Sequence, residues 1–191
     1  MNLPNKLTIL RILMAPVFLA ALLLKFPQHY LVALVLFCVA SFTDLIDGKY
    51  ARKHNMITDF GKFLDPLADK MLTTAAFLGF IKLDIGQGIV WVTFIVLIRE
   101  FLITSLRLVS SGKGKVIAAN IWGKAKTVSQ MIGIVVAILV EVIVSFGALS
   151  DDVCNTLGYV VSGILWVSAR LTIISGALYL IENIEFVDYK K

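Results

Sequence analysis

Charged residues are scarce in this chain, and their scarcity excludes an ordinary soluble domain. Asp, Glu, Lys and Arg make up 16% of the 191 residues, while 59% of the residues are hydrophobic. Soluble domains carry about 25% charged residues. The mean hydropathy of +0.89 therefore predicts an all-α integral membrane protein. A chain of this composition is not expected to have a nucleic-acid partner.

Cysteine is equally rare. The chain has two cysteines, Cys38 inside an apolar run and Cys154 in a short polar segment. Their spacing matches neither a disulfide framework nor a cysteine metal site, so we expect two free thiols.

Six apolar segments follow one another along the chain, joined by short polar connections. A backbone that crosses lipid must satisfy its own hydrogen bonds, so each segment predicts a transmembrane helix. No repeat or soluble insertion interrupts them, and residues 1–191 are predicted to form a single domain. The segments cover residues 7–25, 30–53, 59–82, 88–111, 120–147 and 155–183.

The start of the first segment has a pattern of its own. Leu3, Leu7 and Leu10 recur at helical spacing, and Lys6 and Arg11 lie off that stripe. Such a pattern predicts a short amphipathic helix in the membrane interface before the six spans.

Lysine and arginine predict the orientation. They collect at one side of the predicted spans, whereas Lys25 and Lys82 alone lie near span ends at the other side. The positive-inside rule places the basic side, and both termini, in the cytoplasm, as in a multi-pass protein of the cell membrane. Polar residues crowd the same ends, which predicts a polar cavity open to the cytoplasm.

Two aspartate pairs lie within this otherwise apolar chain. Asp44 and Asp47 are three residues apart on the second segment, and Asp65 and Asp69 are four apart on the third. Both spacings place two side chains on one helix face. Two like charges near 4 Å repel by about 4 kcal/mol at an effective dielectric of about 20. The cluster therefore calls for cations, and oxygen-only ligands suit two divalent ions, Mg²⁺ or Mn²⁺.

Small and basic residues lie between the two pairs. Gly48 allows a bulky ligand to approach the backbone, and Gly61 allows close helix packing. Arg52 lies near the cytoplasmic edge, where its guanidinium suits phosphate oxygens. Two metal ions about 3.5–4 Å apart would act as a clamp for in-line displacement at phosphorus.

These residues match D-x2-D-G-x2-A-R-x8-G-x3-D-x3-D, the signature of the CDP-alcohol phosphotransferase family, which this chain resembles. The resemblance covers the whole chain and implies that an alcohol attacks the lipid-bearing phosphorus of a CDP-linked donor, with CMP leaving. It implies metal ligands at the four aspartates, with Asp69 as general base, and it implies a homodimer. The residues that resemble the donor site are Asn5, Thr8, Gly48, Arg52 and Gly61; a helix N-cap is an equally good interpretation of Asn5.

The second half of the chain bears on the acceptor. Residues 121–131, IWGKAKTVSQM, and the Arg99–Glu100 pair resemble stretches of the family's phosphatidylglycerophosphate synthases. That likeness implies CDP-diacylglycerol as donor and sn-glycerol 3-phosphate as acceptor. A phosphorylated acceptor needs hydrogen-bond donors and cations, which we assign to Arg99, Arg107, Lys124, Lys126, Thr127 and Arg170. Arg170 is included only because it lies deep within a span, and the two lysines are also explained as positive-inside charges.

Two alternatives remain open. The same reaction could use another acceptor, such as inositol phosphate or serine. Intramembrane carboxylates also mark ion paths, so a cation or proton transporter is the alternative of another class. Against it, the aspartates cluster at one membrane face and form no path across.

Overall fold

A computed structural model shows an all-helical bundle. It describes the backbone of residues 3–54, 59–112, 121–147 and 149–183, and the side chains of residues 8–43, 64, 67–68, 70–110, 121–147 and 149–183. Within these ranges there are six helices and no strand. They are α1 (Leu3–Leu23), α2 (His29–His54), α3 (Asp59–Leu83), α4 (Ile89–Gly112), α5 (Ile121–Ser145) and α6 (Asp151–Asn183).

Each helix corresponds to one predicted segment, but the predicted interfacial helix was wrong as a separate element. Residues 3–23 form one continuous helix that contains Pro16. No glycine or proline breaks the chain between Asn5 and Pro16, so nothing stops the first turns from continuing into the apolar run. The polar side of these turns faces inward, since Thr8 and Arg11 are buried and Leu10 is exposed.

Helix α1 packs against both α2 and α3, so it holds these two helices together. Phe18 of α1 is fully buried, and its ring centroid lies 5.5 Å from that of Phe37 of α2. On the other side, Leu22 lies so close to Gly79 of α3 that any side chain at position 79 would overlap it. The close approach of α1 and α3 therefore depends on glycine.

The other half of the bundle is built on α6, which packs against α4 and α5. The connection between α3 and α4 packs on α6. Gly86 and Gly88 take positive φ angles of 93° and 68°, which glycine adopts without strain. The Gln87 N–H donates to Ser162 Oγ at 2.9 Å, and Trp166 Nε1 donates to the Gln87 carbonyl at 2.9 Å. These bonds fix the turn onto α6.

The distribution of polarity is that of a membrane protein. Large apolar side chains such as Phe101, Leu108 and Ile181 are exposed on the outside of the bundle, whereas Lys126, Gln130 and Thr172 are buried. Lipid can cover such an exterior, whereas water cannot do so favourably. Three helices are long and apolar enough to cross a membrane, namely Ile89–Ser110, Ile121–Ser145 and Asp151–Asn183. The chain is therefore a multi-pass membrane protein.

Candidate active site

A single carboxylate, Glu100, lies at the centre of a charged cluster inside the bundle. Lys70 of α3 places its Nζ 3.6 Å from Glu100 Oε2, and Arg99 of α4 places its Nη1 3.3 Å from Glu100 Oε1. Lys126 of α5 forms an ion pair with the same Oε1. We call these four residues the Glu100 cluster. Three different helices therefore meet through one acidic side chain.

Burial makes these contacts strong. The side chain of Lys126 is 5% exposed and that of Arg99 12%, compared with 16% for Glu100. Charges removed from water to this degree must be compensated by neighbouring groups, because their desolvation is costly. Lys70 also donates to the Glu100 carbonyl oxygen at 3.2 Å and to the Thr104 hydroxyl. Its ammonium group is therefore held by both the backbone and side chains of α4.

Helix α6 holds the two arginines of α4. Arg99 Nη2 donates to Ser175 Oγ at 2.8 Å, and Arg107 Nε donates to the Tyr179 hydroxyl at 2.9 Å. The Arg107 guanidinium carbon also lies 5.3 Å from the centre of the Tyr179 ring, within cation–π range. Gly176 makes room for Arg99, since a Cβ at this position would lie 3.0 Å from Arg99 Cγ.

A polar seam joins α6 to α5 beside the cluster. Gln130 Nε2 donates to the Thr172 hydroxyl at 3.1 Å, and Ser129 Oγ lies 3.4 Å from Ser168 Oγ. Gln130, Thr172 and Ser168 are buried. Hydrogen bonds of this kind join helices inside a membrane, where the hydrophobic effect between helices is weak.

The structure brings together some of the predicted acceptor residues and leaves others apart. Arg99 and Lys126 meet in the Glu100 cluster, and Arg107 lies two turns further along α4. Lys124 and Arg170 are exposed, and no described ion pair joins either of them to the cluster. Thr127 is also exposed, and its hydroxyl donates to the Gly123 carbonyl of its own helix at 3.0 Å.

The expectation that Arg170 faces a polar interior is not supported by its exposure. Depth along a span does not specify which way a side chain points, and at this position α6 turns Arg170 away while it buries Ala169 and Thr172. Exposed as it is, Arg170 makes none of the described contacts of the Glu100 cluster.

The predicted aspartates lie on the helices that α1 holds together. Asp44 and Asp47 fall within α2, and Asp65 and Asp69 within α3, but their side chains lie outside the part that the structure describes. The side chains of Asn5 and Arg52 and the surroundings of Gly48 and Gly61 also lie outside the part that the structure describes. Thr8 is described and is buried in α1.

One connection between the aspartates and the Glu100 cluster is nevertheless clear. Lys70 follows Asp69 directly in α3, and consecutive Cα atoms are about 3.8 Å apart. The Lys70 side chain reaches Glu100. The cluster therefore lies beside the helical turn that carries Asp65 and Asp69.

No group of three His, Cys, Asp or Glu side chains close enough to share a metal ion occurs among the side chains that the structure describes. The four predicted ligands are not among those side chains. Their chemistry fits hard divalent cations, because carboxylate oxygens are the ligands that Mg²⁺ and Mn²⁺ prefer.

Sequence reasoning missed four residues that build this site: Lys70, Glu100, Ser175 and Tyr179. Glu100 was noted only as part of a resemblance, and no role was assigned to it. A signal for the two α6 residues was present in the sequence, because polar side chains recur at helical spacing in this apolar helix, at positions 168, 172, 175, 179 and 183. The structure buries all five. Such a stripe indicates the face that packs on polar neighbours.

The helical bundle and its charged interior define the class of protein, an integral membrane protein with a largely desolvated ionic site. A family model described as CDP-alcohol phosphatidyltransferase matches residues 1–176, and the chain belongs to that family. It is thus a membrane transferase of phospholipid biosynthesis.

Individual relatives agree with this assignment. A protein of Bacillus subtilis (strain 168) named CDP-diacylglycerol–glycerol-3-phosphate 3-phosphatidyltransferase is 39% identical over 196 aligned positions, which cover 96% of each chain. A protein of the same name from Rickettsia bellii (strain RML369-C) is 35% identical and covers 93% of each chain. A probable phosphatidylglycerophosphate synthase of Mycobacterium tuberculosis (strain ATCC 25618 / H37Rv) is 44% identical over 70% of this chain and 64% of its own.

Proposed function

We propose that this protein transfers the phosphatidyl group of CDP-diacylglycerol to sn-glycerol 3-phosphate and releases CMP. The observation that carries the proposal is the set of cations around Glu100, which are largely withdrawn from water and include Lys70, the residue that follows Asp69 in α3. An acceptor that brings its own phosphate needs such cations close to the reacting centre. The names of the two relatives that align with nearly the whole chain support the same substrates.

In the proposed mechanism the acceptor hydroxyl attacks the phosphorus that bears diacylglycerol. A new phosphorus–oxygen bond forms there, and the bond from this phosphorus to the oxygen of CMP breaks. The carboxylate of Asp69 takes the hydroxyl proton, and the Glu100 cluster with Arg107 holds the acceptor phosphate. Asn5, Thr8, Gly48, Arg52 and Gly61 would surround the cytidine diphosphate.

The four aspartates, Asp44, Asp47, Asp65 and Asp69, would hold two divalent cations, Mg²⁺ or Mn²⁺. When bound, these ions would supply electrostatic stabilisation of the charge on the phosphate oxygens. The Asp69 carboxylate would both bind a cation and accept the proton of the acceptor hydroxyl.

We further infer that all six helices cross the cytoplasmic membrane, with both termini and the site on the cytoplasmic side. The bias of lysine and arginine supports this orientation. Lys70 and Glu100 lie near the middle of α3 and α4, and Lys126 lies in the second turn of α5, near the end that is predicted to be cytoplasmic. A homodimer is part of the proposal, since the exposed apolar faces can be covered by a second copy as well as by lipid.

The reaction is tested by CMP release from purified protein in detergent with CDP-diacylglycerol and Mg²⁺ or Mn²⁺. We expect release with sn-glycerol 3-phosphate and none with inositol 1-phosphate, with serine or without acceptor, and we expect chelation to abolish it. Release with a different acceptor would contradict the assigned acceptor but would still agree with a CDP-alcohol transferase. No release from folded protein would contradict the transferase and favour an ion transporter.

Substituting Gly176 with alanine tests the placement of Arg99. The new Cβ would lie 3.0 Å from Arg99 Cγ, so the side chain must move by a few tenths of an ångström. A misplacement of about 1 Å can cost about a hundredfold in rate, and we expect a KM for glycerol 3-phosphate that is higher by about threefold to tenfold.

Gly163→Ala is the matched control for this substitution. Gly163 lies on the same helix, and nothing lies within 4 Å of a Cβ there. Both variants gain about 1 kcal/mol of helix propensity, so they differ mainly in the contact with Arg99. Equal KM values for glycerol 3-phosphate in Gly176→Ala and Gly163→Ala would show that Arg99 does not belong to the acceptor site.

A further inference from the structure

We propose that Glu100 is a positioning residue of the acceptor site, whose carboxylate gathers Lys70, Arg99 and Lys126 into the cluster that receives the phosphate of the acceptor. This inference rests on the function proposed above. It assigns a role to an acidic residue inside a site that binds an anion, where a negative charge by itself would oppose binding.

The contacts explain why an acidic residue is needed there. The three cations come from α3, α4 and α5, and each lies within ion-pair distance of the same carboxylate. Without Glu100 the three positive charges would face one another in a buried space and would repel. The carboxylate therefore fixes their spacing before any substrate binds, as preorganisation requires.

The charges of the cluster point to the ligand. Three cations share one carboxylate in the Glu100 cluster. A phosphate monoester carries about −1.5 to −2 at pH 7, and a site that gathers several cations suits such an anion.

An unsatisfied donor supports the same conclusion independently. The Nε of Arg99 is buried and has no hydrogen-bond partner within the described part of the chain, while Nη1 and Nη2 of the same guanidinium donate to Glu100 and Ser175. Buried donors are rarely left unsatisfied, and one that persists in a charged cluster is suited to an incoming anion.

A purely structural role for Glu100 makes different predictions. If the carboxylate only joined α3, α4 and α5, its loss would lower the unfolding temperature and would not act selectively on one substrate. A positioning role predicts a selective effect on the acceptor, because the donor binds through other residues. The ratio of the two KM values therefore separates the two roles.

The experiment compares Glu100→Gln, Glu100→Asp and Glu141→Gln in the full-length protein in detergent. Glu141 is a half-buried carboxylate of α5 that lies about 15 residues beyond Lys126, or about 22 Å along the helix, and serves as the control. We measure the unfolding temperature, kcat, and the KM values for glycerol 3-phosphate and CDP-diacylglycerol.

We expect Glu100→Gln to raise the acceptor KM by at least about tenfold and to leave the donor KM within about twofold. Glu100→Asp keeps the charge but withdraws it by one methylene, so its acceptor KM should lie between those of Glu100→Gln and the wild type. Glu141→Gln should match the wild type. If Glu100→Gln does not fold, Glu100→Asp alone decides the question.

Equal changes in both KM values, or a wild-type acceptor KM in folded Glu100→Asp and Glu100→Gln, would overturn the positioning role. Failure of the proposed function looks different, because the wild-type protein itself would then release no CMP with glycerol 3-phosphate.

Discussion

Asp69→Asn is expected to reduce turnover by about a thousandfold, since general base catalysis contributes about 10²–10⁴-fold. An amide cannot accept the proton of the acceptor hydroxyl, and it is also a weaker ligand for a divalent cation. The other three aspartates remain, so we expect much of the affinity for CDP-diacylglycerol to persist. The measurements are CMP release at saturating substrates and donor binding in the absence of acceptor.

The control for this prediction is Asp84→Asn, the same change of charge just beyond the opposite end of α3. Asp84 is exposed, and its φ of 56° is a conformation that asparagine adopts readily. The Asp84→Asn variant should release CMP at the wild-type rate. A wild-type rate in Asp69→Asn itself would show that this residue is not the base.

Gly79→Leu is expected to destabilise the protein by about 3 kcal/mol, at the upper end of the usual cost of overpacking. Any side chain at this position overlaps Leu22, which is fully buried. Helix α1 would be pushed away from α3, and the aspartate pairs of α2 and α3 would lose the helix that holds them together. Thermal unfolding in detergent and CMP release measure the two consequences.

Gly163→Leu provides the comparison, because this position on α6 is exposed and open. Leucine at a lipid-facing position is favourable, so we expect no loss of stability. A variant Gly79→Leu that unfolds at the wild-type temperature would mean that α1 and α3 are not packed as closely as described.

The helices could be predicted from the sequence because apolar runs of membrane length leave few alternatives. The ends were less certain: the sixth segment was expected from residue 155, whereas α6 begins at Asp151. Asp151 and Asp152 lie in the first turn of α6, where negative charge stabilises the helix. Hydropathy alone does not show this stabilisation, so it places the start of the helix too late. The interfacial helix failed for a related reason, since a change of polarity without a breaker does not end a helix.

The candidate site could be predicted in part. The aspartate pairs follow from local spacing, because residues three or four apart share a helix face whatever the rest of the chain does. Glu100 could not be found this way. Its partners Lys126 and Lys70 are 26 and 30 residues away along the chain, on other helices. Arg170 shows the converse, because its depth along the chain predicted an inward direction that its exposure does not support.

The sequence by itself therefore determined the membrane environment, the six helices and the family signature, all of which depend on local composition and spacing. Only the tertiary structure decided which cations meet and which face outward. The physical reason is that a helix apolar on nearly all sides has no strong stripe to specify its rotation. The rotation is set by close packing, at Gly79 against Leu22 and at Gly176 against Arg99, between residues far apart in the chain.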